Sequence, residues 1–347
     1  MADLGLFAQI IPAELTGYVR AAQADYEANR FILSQYLPNT RTPDIEFRYV
    51  RGGLGLVNAA KYRAWDAESP LHVREGVERV TQQLAPISAK LRQGEYDRLR
   101  LQALQSQEPD VVSRVFNDAT RLMQGIAGQL ELRRGEALDY GLVTVPFNDG
   151  TTQVIDYGRS SSHDVTAATP WTDHDNATPL TDLTAWCEVF LDNTGEMPTV
   201  MLMSRQRRID LLANKDIKNA LVLGTVPANP SQVSVSDLNS VLAGYDLPDI
   251  VTYDVRVNVD GVATRPIRPE RLIMLTPDQL GATFWGITAS ALELPGVDRA
   301  VAEGTFESGI VAYATKEFDP VAVWTKADGV AIPALANPDL TLAATIA

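Results

Sequence analysis

The sequence predicts an α+β fold, and three observations carry the prediction. Helical periodicity persists over about 28 residues in mid-chain, helical and strand-like segments alternate after residue 180, and the tail holds short strand-like runs punctuated by turn pairs. Residues 12–37 open the chain as a helix, because Leu15, Tyr18, Val19, Ala22 and Tyr26 recur three and four apart and Pro12 suits a first turn. Pro38 and Pro43 bracket a loop. Ile45, Phe47 and Tyr49 then alternate with Glu46 and Arg48, the period of a half-exposed strand, before a bend at Gly52, Gly53 and Gly55. Residues 56–100 are polar, with apolar residues thinly spread, so 41–100 reads as an extended ribbon or hairpin arm rather than a packed unit. A two-stranded ribbon is marginal alone in water, and this one should rest on a partner surface such as another subunit.

The strongest helix starts at Pro109. Val111, Val112, Val115, Ala119, Leu122, Met123, Ile126 and Leu130 keep helical spacing towards Leu138, roughly 40 Å of helix, and Gly141 is placed to cap it. Residues 142–145 and 153–157 read as strands joined by a turn at Asn148-Asp149-Gly150. Beyond residue 180 come a helix over 181–191, a buried strand over 199–203, and helices over 204–214 and 236–243 that each open on a serine. Strands over 250–257 and after Val262 flank Asp260-Gly261, a strong hairpin signal, and 272–275 and 283–287 add two more. After Gly309, short strands are separated by Asp319-Pro320, Asp328-Gly329, Pro333 and Asn337-Pro338.

Composition narrows the function classes. The 347 residues are 45% hydrophobic, enough for a sizeable core, and no run approaches 18 apolar residues, so no membrane span is expected. The N-terminus has no basic stretch before its apolar residues and does not read as a secretory signal. Cys187 is the single cysteine, which excludes a disulfide framework within one chain and fits synthesis in a reducing compartment. The net charge of −14 argues against a protein that grips phosphates by charge. That charge is uneven: residues 41–100 hold eleven Lys/Arg against eight Asp/Glu, whereas 161–200 hold seven acids and no Lys or Arg.

No motif carries chemistry. Gly53-Leu-Gly55 follows a strand with Glu46, Arg48 and Arg51 in it, which is wrong for the strand buried on both faces that a dinucleotide fold needs. Residues 155–176 gather Ser160, Ser161, Ser162, His163, His174 and four aspartates into 22 positions. Yet no nucleophile elbow surrounds the serines, and the two histidines, 11 apart, match no metal-ligand spacing. Alanine at both histidines is therefore expected to leave assembly intact. Arg205, Arg207 and Arg208 read as a solvated or interface face, and Trp171, Trp186, Trp285 and Trp324 as core or interface anchors. The expectation is a protein without catalytic residues, cofactor or metal.

The order of these parts resembles a known family. The long helix running into ELRRGEALDYGLVTV (residues 131–145), the segment VIDYGRSSSHDVTAATPWTD (residues 154–173) and the tail FDPVAVWTKADGVAIPALANPDL (residues 318–340) are similar to the major capsid protein of tailed phages, in its lambda-type capsid protein E group. The resemblance covers roughly residues 40–345 and implies the Hong Kong 97-like fold. It implies an N-terminal arm (1–40), an extended β-hairpin loop over a neighbouring subunit (41–100), a peripheral domain with a long spine helix (101–174), an α/β axial domain (175–304), and C-terminal strands that return to the peripheral domain (305–347). Residues 155–176 would then be the crossing between the domains, with Trp171 its anchor. The implied function is a shell of hexamers and pentamers enclosing double-stranded DNA without sequence-specific binding, assembled in the host cytoplasm and resident in the virion capsid. The implied partners are the chain itself, a scaffolding protein, a portal and, as a further candidate, a decoration protein. Arg48, Arg51, Lys61 and Arg63 in the arm, together with Trp171, are the expected subunit contacts. Some relatives cross-link their shells through Lys–Asn isopeptide bonds, for which Lys61 and Asn337 are the candidates here, although lambda-type shells commonly rely on decoration proteins instead. Other readings are an encapsulin-like compartment shell, an enzyme with its site in 175–304, and a binding module or tail-tube component.

Overall fold

A computed structural model describes residues 10–42, 46–51, 78–96, 99, 109–222, 233–298 and 309–347. Two five-stranded sheets dominate them, each with its own helices.

The first sheet takes its length from one strand. Strand β15 (Val321–Leu335) pairs along one edge with β14 (Val311–Phe318) and then with β13 (Gly281–Trp285), and along the other with β4 (Pro86–Gln93). A short parallel strand, β1 (Asn39–Arg41), extends it beyond β13. Asp328-Gly329, expected as a turn, instead lies inside this 15-residue strand, where β15 changes partner from β14 to β13. Gly329 lets the Trp285 ring pack close against the strand there, since a Cβ would stand 3.0 Å from that ring. Against this sheet lies helix α2 (Pro109–Tyr140), 32 residues or about 48 Å long. Its stripe of Val115, Ala119, Leu122, Met123, Ile126, Ala127 and Leu130 is buried with Ala312, Ala314, Val323 and Ala327 of the sheet. Helix α1 (Pro12–Asn29) joins the same core through Leu15 and Val19, and Thr16 clamps it by donating to the Ala312 carbonyl and accepting from the Ala312 N–H.

The second sheet runs β7-β16-β12-β8-β9, with β7 (Asp164–Thr166), β8 (Val200–Met203), β9 (Asp249–Thr252), β12 (Arg271–Leu275) and β16 (Thr341–Thr345). Every residue of β12 is buried, as the uniformly apolar run LIML predicts for a central strand. Helices α3 (Pro179–Thr194), α4 (Arg205–Ala213), α5 (Lys215–Val222) and α6 (Val235–Gly244) accompany it. Gly195, at φ 78°, ends α3, and Ser204 caps α4 through the Arg207 N–H. The cap of α6 is Ser234, in a reciprocal box with Asp237, two residues before the expected start.

Strand β16 departs from the expected division of the chain. It pairs with β12 and β7, so the last strand belongs to the sheet of residues 164–275 rather than to that of β14 and β15. Strand β4 likewise lies inside the first sheet, whereas β2 (Glu46–Arg51) and β3 (Glu78–Gln83) form an antiparallel pair that joins no third strand among the described residues. Two further ribbons complete the fold. One is β5 (Leu142–Pro146) with β6 (Thr152–Asp156); the other is β10 (Val257–Val259) with β11 (Val262–Thr264), turned by Asp260 and Gly261 at positive φ.

Candidate assembly site

Residues 155–176 hold the two sheet systems together. Gly141, at φ 69°, ends α2 and donates its N–H to the Ala137 carbonyl, leaving the carbonyls of Leu138 and Asp139 without helical partners. The Arg159 guanidinium takes both, at 2.8 and 2.7 Å. A cation at the negative end of a long helix is the favourable placement, and burial pushes the Arg159 pKa down from its ordinary value. Tyr157, fully buried, donates its hydroxyl to the Pro333 carbonyl.

The polar residues of this segment are occupied structurally. His163 is buried, with Nδ1 3.0 Å from the Thr341 carbonyl and Nε2 2.9 Å from the Asn193 amide, so both ring nitrogens have partners. Burial lowers its pKa. His174 is half-buried, and its Nε2 lies 3.3 Å from Asp210. Ser160 caps the short turn Ser161–His163. Trp171 is wholly buried, stacked on Trp186 at 5.9 Å, and donates its indole N–H to Asp182 at 3.0 Å. Its ring anchors the crossing from within its own chain and has no surface left for a neighbour. Among the described residues no group of three or more His, Cys, Asp or Glu could hold a metal ion. Burial, followed by the Glu188 charge, pushes the Cys187 thiol up to about 11.

Two buried ionic clusters extend this junction. In the first, the Arg134 guanidinium donates to Thr283 (2.9 Å), Asn39 (2.7 Å) and Glu131 (3.3 Å), with Glu27 at 3.5 Å. Glu131 also receives the Tyr253 hydroxyl at 2.6 Å and the Leu33 N–H at 3.1 Å. Burial raises the Glu131 pKa, and these donors pull it back. The cluster joins α1, the segment after it, α2, β1, β13 and the loop following β9. In the second, Asp139 at the end of α2 accepts from Arg268 (2.8 and 2.7 Å) and Arg271 (2.9 Å), while Arg271 reaches Asp164 and Thr345, both at 2.8 Å. Gly135, one turn earlier, allows the helix to touch the loop before β12: a Cβ there would lie 2.3 Å from the Pro266 carbonyl oxygen. Sequence reasoning passed over Glu131, Arg134 and Asp139. The available signal was their helical phase, since Glu131 and Arg134 follow Ala127 and Leu130 by four residues on the apolar stripe.

Of the expected subunit contacts, Arg48 and Arg51 have their backbone in β2, and their side chains lie outside what the structure describes. Lys61, Arg63 and the glycine bend at 52–55 lie outside the described residues. Asn337 is half-buried and donates to the Gln279 carbonyl at 2.7 Å. A cavity of about 380 Å³ sits between the start of β4, α2 and the β5–β6 turn, lined by Ile87, Gln129, Arg133, Phe147 and Asp149.

Two packed sheets share one long helix, and the ribbon β2–β3 joins neither of them among the described residues. The family model for phage major capsid protein E matches residues 12–346, and the chain belongs to that family. A crystal structure described as a prophage capsid protein of Escherichia coli CFT073 superposes with a TM-score of 0.61 at 14% identity, covering 97% of this chain and 99% of the other. A phage-related protein of Bordetella bronchiseptica RB50 superposes with a TM-score of 0.58 at 12% identity, covering 96% of each chain. A search of curated sequences finds no significant match. The fold is Hong Kong 97-like, and the chain is a tailed-phage capsid shell protein that assembles with copies of itself and forms part of the virion capsid. Membership of this family indicates a structural role.

Proposed function

We propose that copies of this chain form hexamers and pentamers that close into an icosahedral shell around double-stranded DNA. The observation that carries this reading is the capsid-family match over residues 12–346. Repeated heterologous contacts that close under rotation give a shell rather than a filament. Assembly takes place in the host cytoplasm, with a scaffolding protein, a portal and a decoration protein as partners, and the chain catalyses no reaction. Residues 101–174 form the peripheral domain, to which 305–347 return, and residues 175–304 form the axial domain; the pairing of β16 with β12 and of β13 with β15 supports a division in which the two domains exchange strands. The ribbon β2–β3 and the residues beyond it lie over a neighbouring subunit. There Arg48, Arg51, Lys61 and Arg63 meet acidic surface, each contact small when exposed but repeated in every copy.

Sedimentation of the purified chain tests the proposal. The expected result is capsomers and closed particles far heavier than the 37.9 kDa chain. A homogeneous monomer across a range of salt and concentration contradicts it.

A further inference from the structure

In a chain of net charge −14, one sheet face gathers cations. On β4, Ser88, Lys90 and Arg92 point away from α2, and register places Lys90 opposite Lys326 and Arg92 opposite Trp324 on β15. The Lys90 ammonium sits 4.5 Å and the Arg92 guanidinium 5.8 Å from the centre of the Trp324 ring. Lys326 has a partner in Asp328 at 2.9 Å, and the Trp324 indole donates to Glu317 at 2.7 Å. Lys90 and Arg92 are exposed and have no ion pair among the described residues. Among the described residues, the segment 289–297 covers the end of this face near Val311 and Tyr313. Like charges directly across strands are unfavourable in an isolated subunit.

A complementary arrangement occurs on the other core. Glu188 and Asp192 lie four apart on the exposed side of α3, and the exposed Glu196 follows just past the helix end. No Lys or Arg occurs anywhere in residues 161–200. Like charges at this spacing repel, and acids at a helix C-terminus face its negative end. Each patch is therefore unfavourable alone, and each is relieved by the other's sign.

We propose that the exposed Lys90 and Arg92, with Trp324 beside them on the β4–β15–β14 sheet, dock the α3 stripe of a second copy, formed by Glu188, Asp192 and Glu196. The contact is heterologous, using different patches on the two copies, which is the type that propagates around a ring. It rests on the self-assembly of the chain. Copies that share a net charge of −14 repel, and a local pairing of opposite sign selects one register among the possible approaches.

Reciprocal charge reversal tests it. K90E/R92E and E188K/D192K each lower the yield of closed particles at least tenfold at low salt, while far-UV circular dichroism and the unfolding midpoint of the unassembled chain stay within experimental error of the parent. Combining all four substitutions restores particles to within about threefold of the parent, as expected if the pairing merely changes direction. The neutral pair K90Q/R92Q, which removes the cross-strand repulsion, keeps the fold in case the reversals unfold the chain, and raises the concentration needed for assembly. Particle yield unchanged by either reversal overturns the proposal, as does a quadruple variant no better than the worse double. Normal yield with less nucleic acid retained in K90E/R92E particles overturns it in favour of a nucleic-acid contact. A parent chain that forms no particles at all sinks the shell reading instead, so the two failures are separable.

Discussion

Three glycines on α2 make the packing account quantitative. Replacing glycine by alanine inside a helix gains about 1 kcal/mol of intrinsic propensity. At Gly125 nothing lies within 4 Å of the added methyl, so Gly125→Ala stabilises by about 0.5 to 1 kcal/mol. At Gly128 the methyl meets a terminal carbon of Val257 at 2.9 Å, a side chain that can turn, and the two effects roughly cancel. At Gly135 it meets the Pro266 carbonyl oxygen at 2.3 Å and carbon at 2.5 Å, backbone that no rotamer change can move. Overpacking of this kind costs about 1 to 3 kcal/mol. Pushing the loop away also strains the bonds of Asp139 to Arg268 and Arg271 one turn on, and each hydrogen bond to a charged group is worth about 1.5 to 3 kcal/mol. The clash wins: Gly135→Ala destabilises by a net of about 2 to 4 kcal/mol. Urea unfolding of the unassembled chain, followed by tryptophan fluorescence, measures all three variants. If Gly135→Ala unfolds at the same urea concentration as Gly125→Ala, the close seating of α2 on the loop before β12 is wrong.

Asp139→Asn keeps the shape but removes the charge that faces Arg268 and Arg271, and a loss of about 3 kcal/mol in the same assay is expected. His163→Ala removes two hydrogen bonds from a buried ring and should cost about 2 to 3 kcal/mol of stability, a quantity separate from the expectation that alanine at both histidines leaves assembly intact; His174→Ala, half-exposed, stays within about 0.5 kcal/mol. His163 also predicts a pH dependence. Its folded pKa lies below the unfolded value, so above about pH 6.5 both states are neutral and it contributes no slope. As pH falls below that value the unfolded chain takes up the proton first, and stability declines by at most about 1.4 kcal/mol per pH unit until the folded pKa is reached. Stability measured between pH 7 and 5 should show this slope in the parent and not in His163→Asn. Reversing Arg48, Arg51 and Arg63 to glutamate should weaken assembly and change its salt dependence, read by light scattering; unchanged assembly removes the arm's charges from the account.

Much of the fold was legible because its signals are local. The phase of Val115 through Leu130 marked α2, Gly141 marked its end, and Asp260-Gly261 marked the β10–β11 turn, each through backbone geometry that few residues satisfy. What stayed hidden depends on distant partners. Asp328-Gly329 has the composition of a turn, yet both residues pair with the distant Ser88 and Ile87 of β4, and the strand runs straight through them. Thr341–Thr345 reads as one more strand of the tail, and nothing in its five residues says that it crosses to β12 and β7. The helix Lys215–Val222 was missed because it starts immediately after α4, behind Asn214, whose side chain accepts the Asp216 N–H. At the junction, the sequence marks residues 155–176 as a polar, turn-rich connection. The partners that give His163, Arg159 and Trp171 their roles lie as far away as Thr341, and sequence spacing cannot reveal them.

Electron microscopy of the purified chain, expressed alone and with the candidate scaffolding protein, tests the central claim most directly. Closed shells, or rings of six and five subunits with a ribbon from each lying over its neighbour, are the predicted images. Fields of dispersed monomers under both conditions would contradict the account.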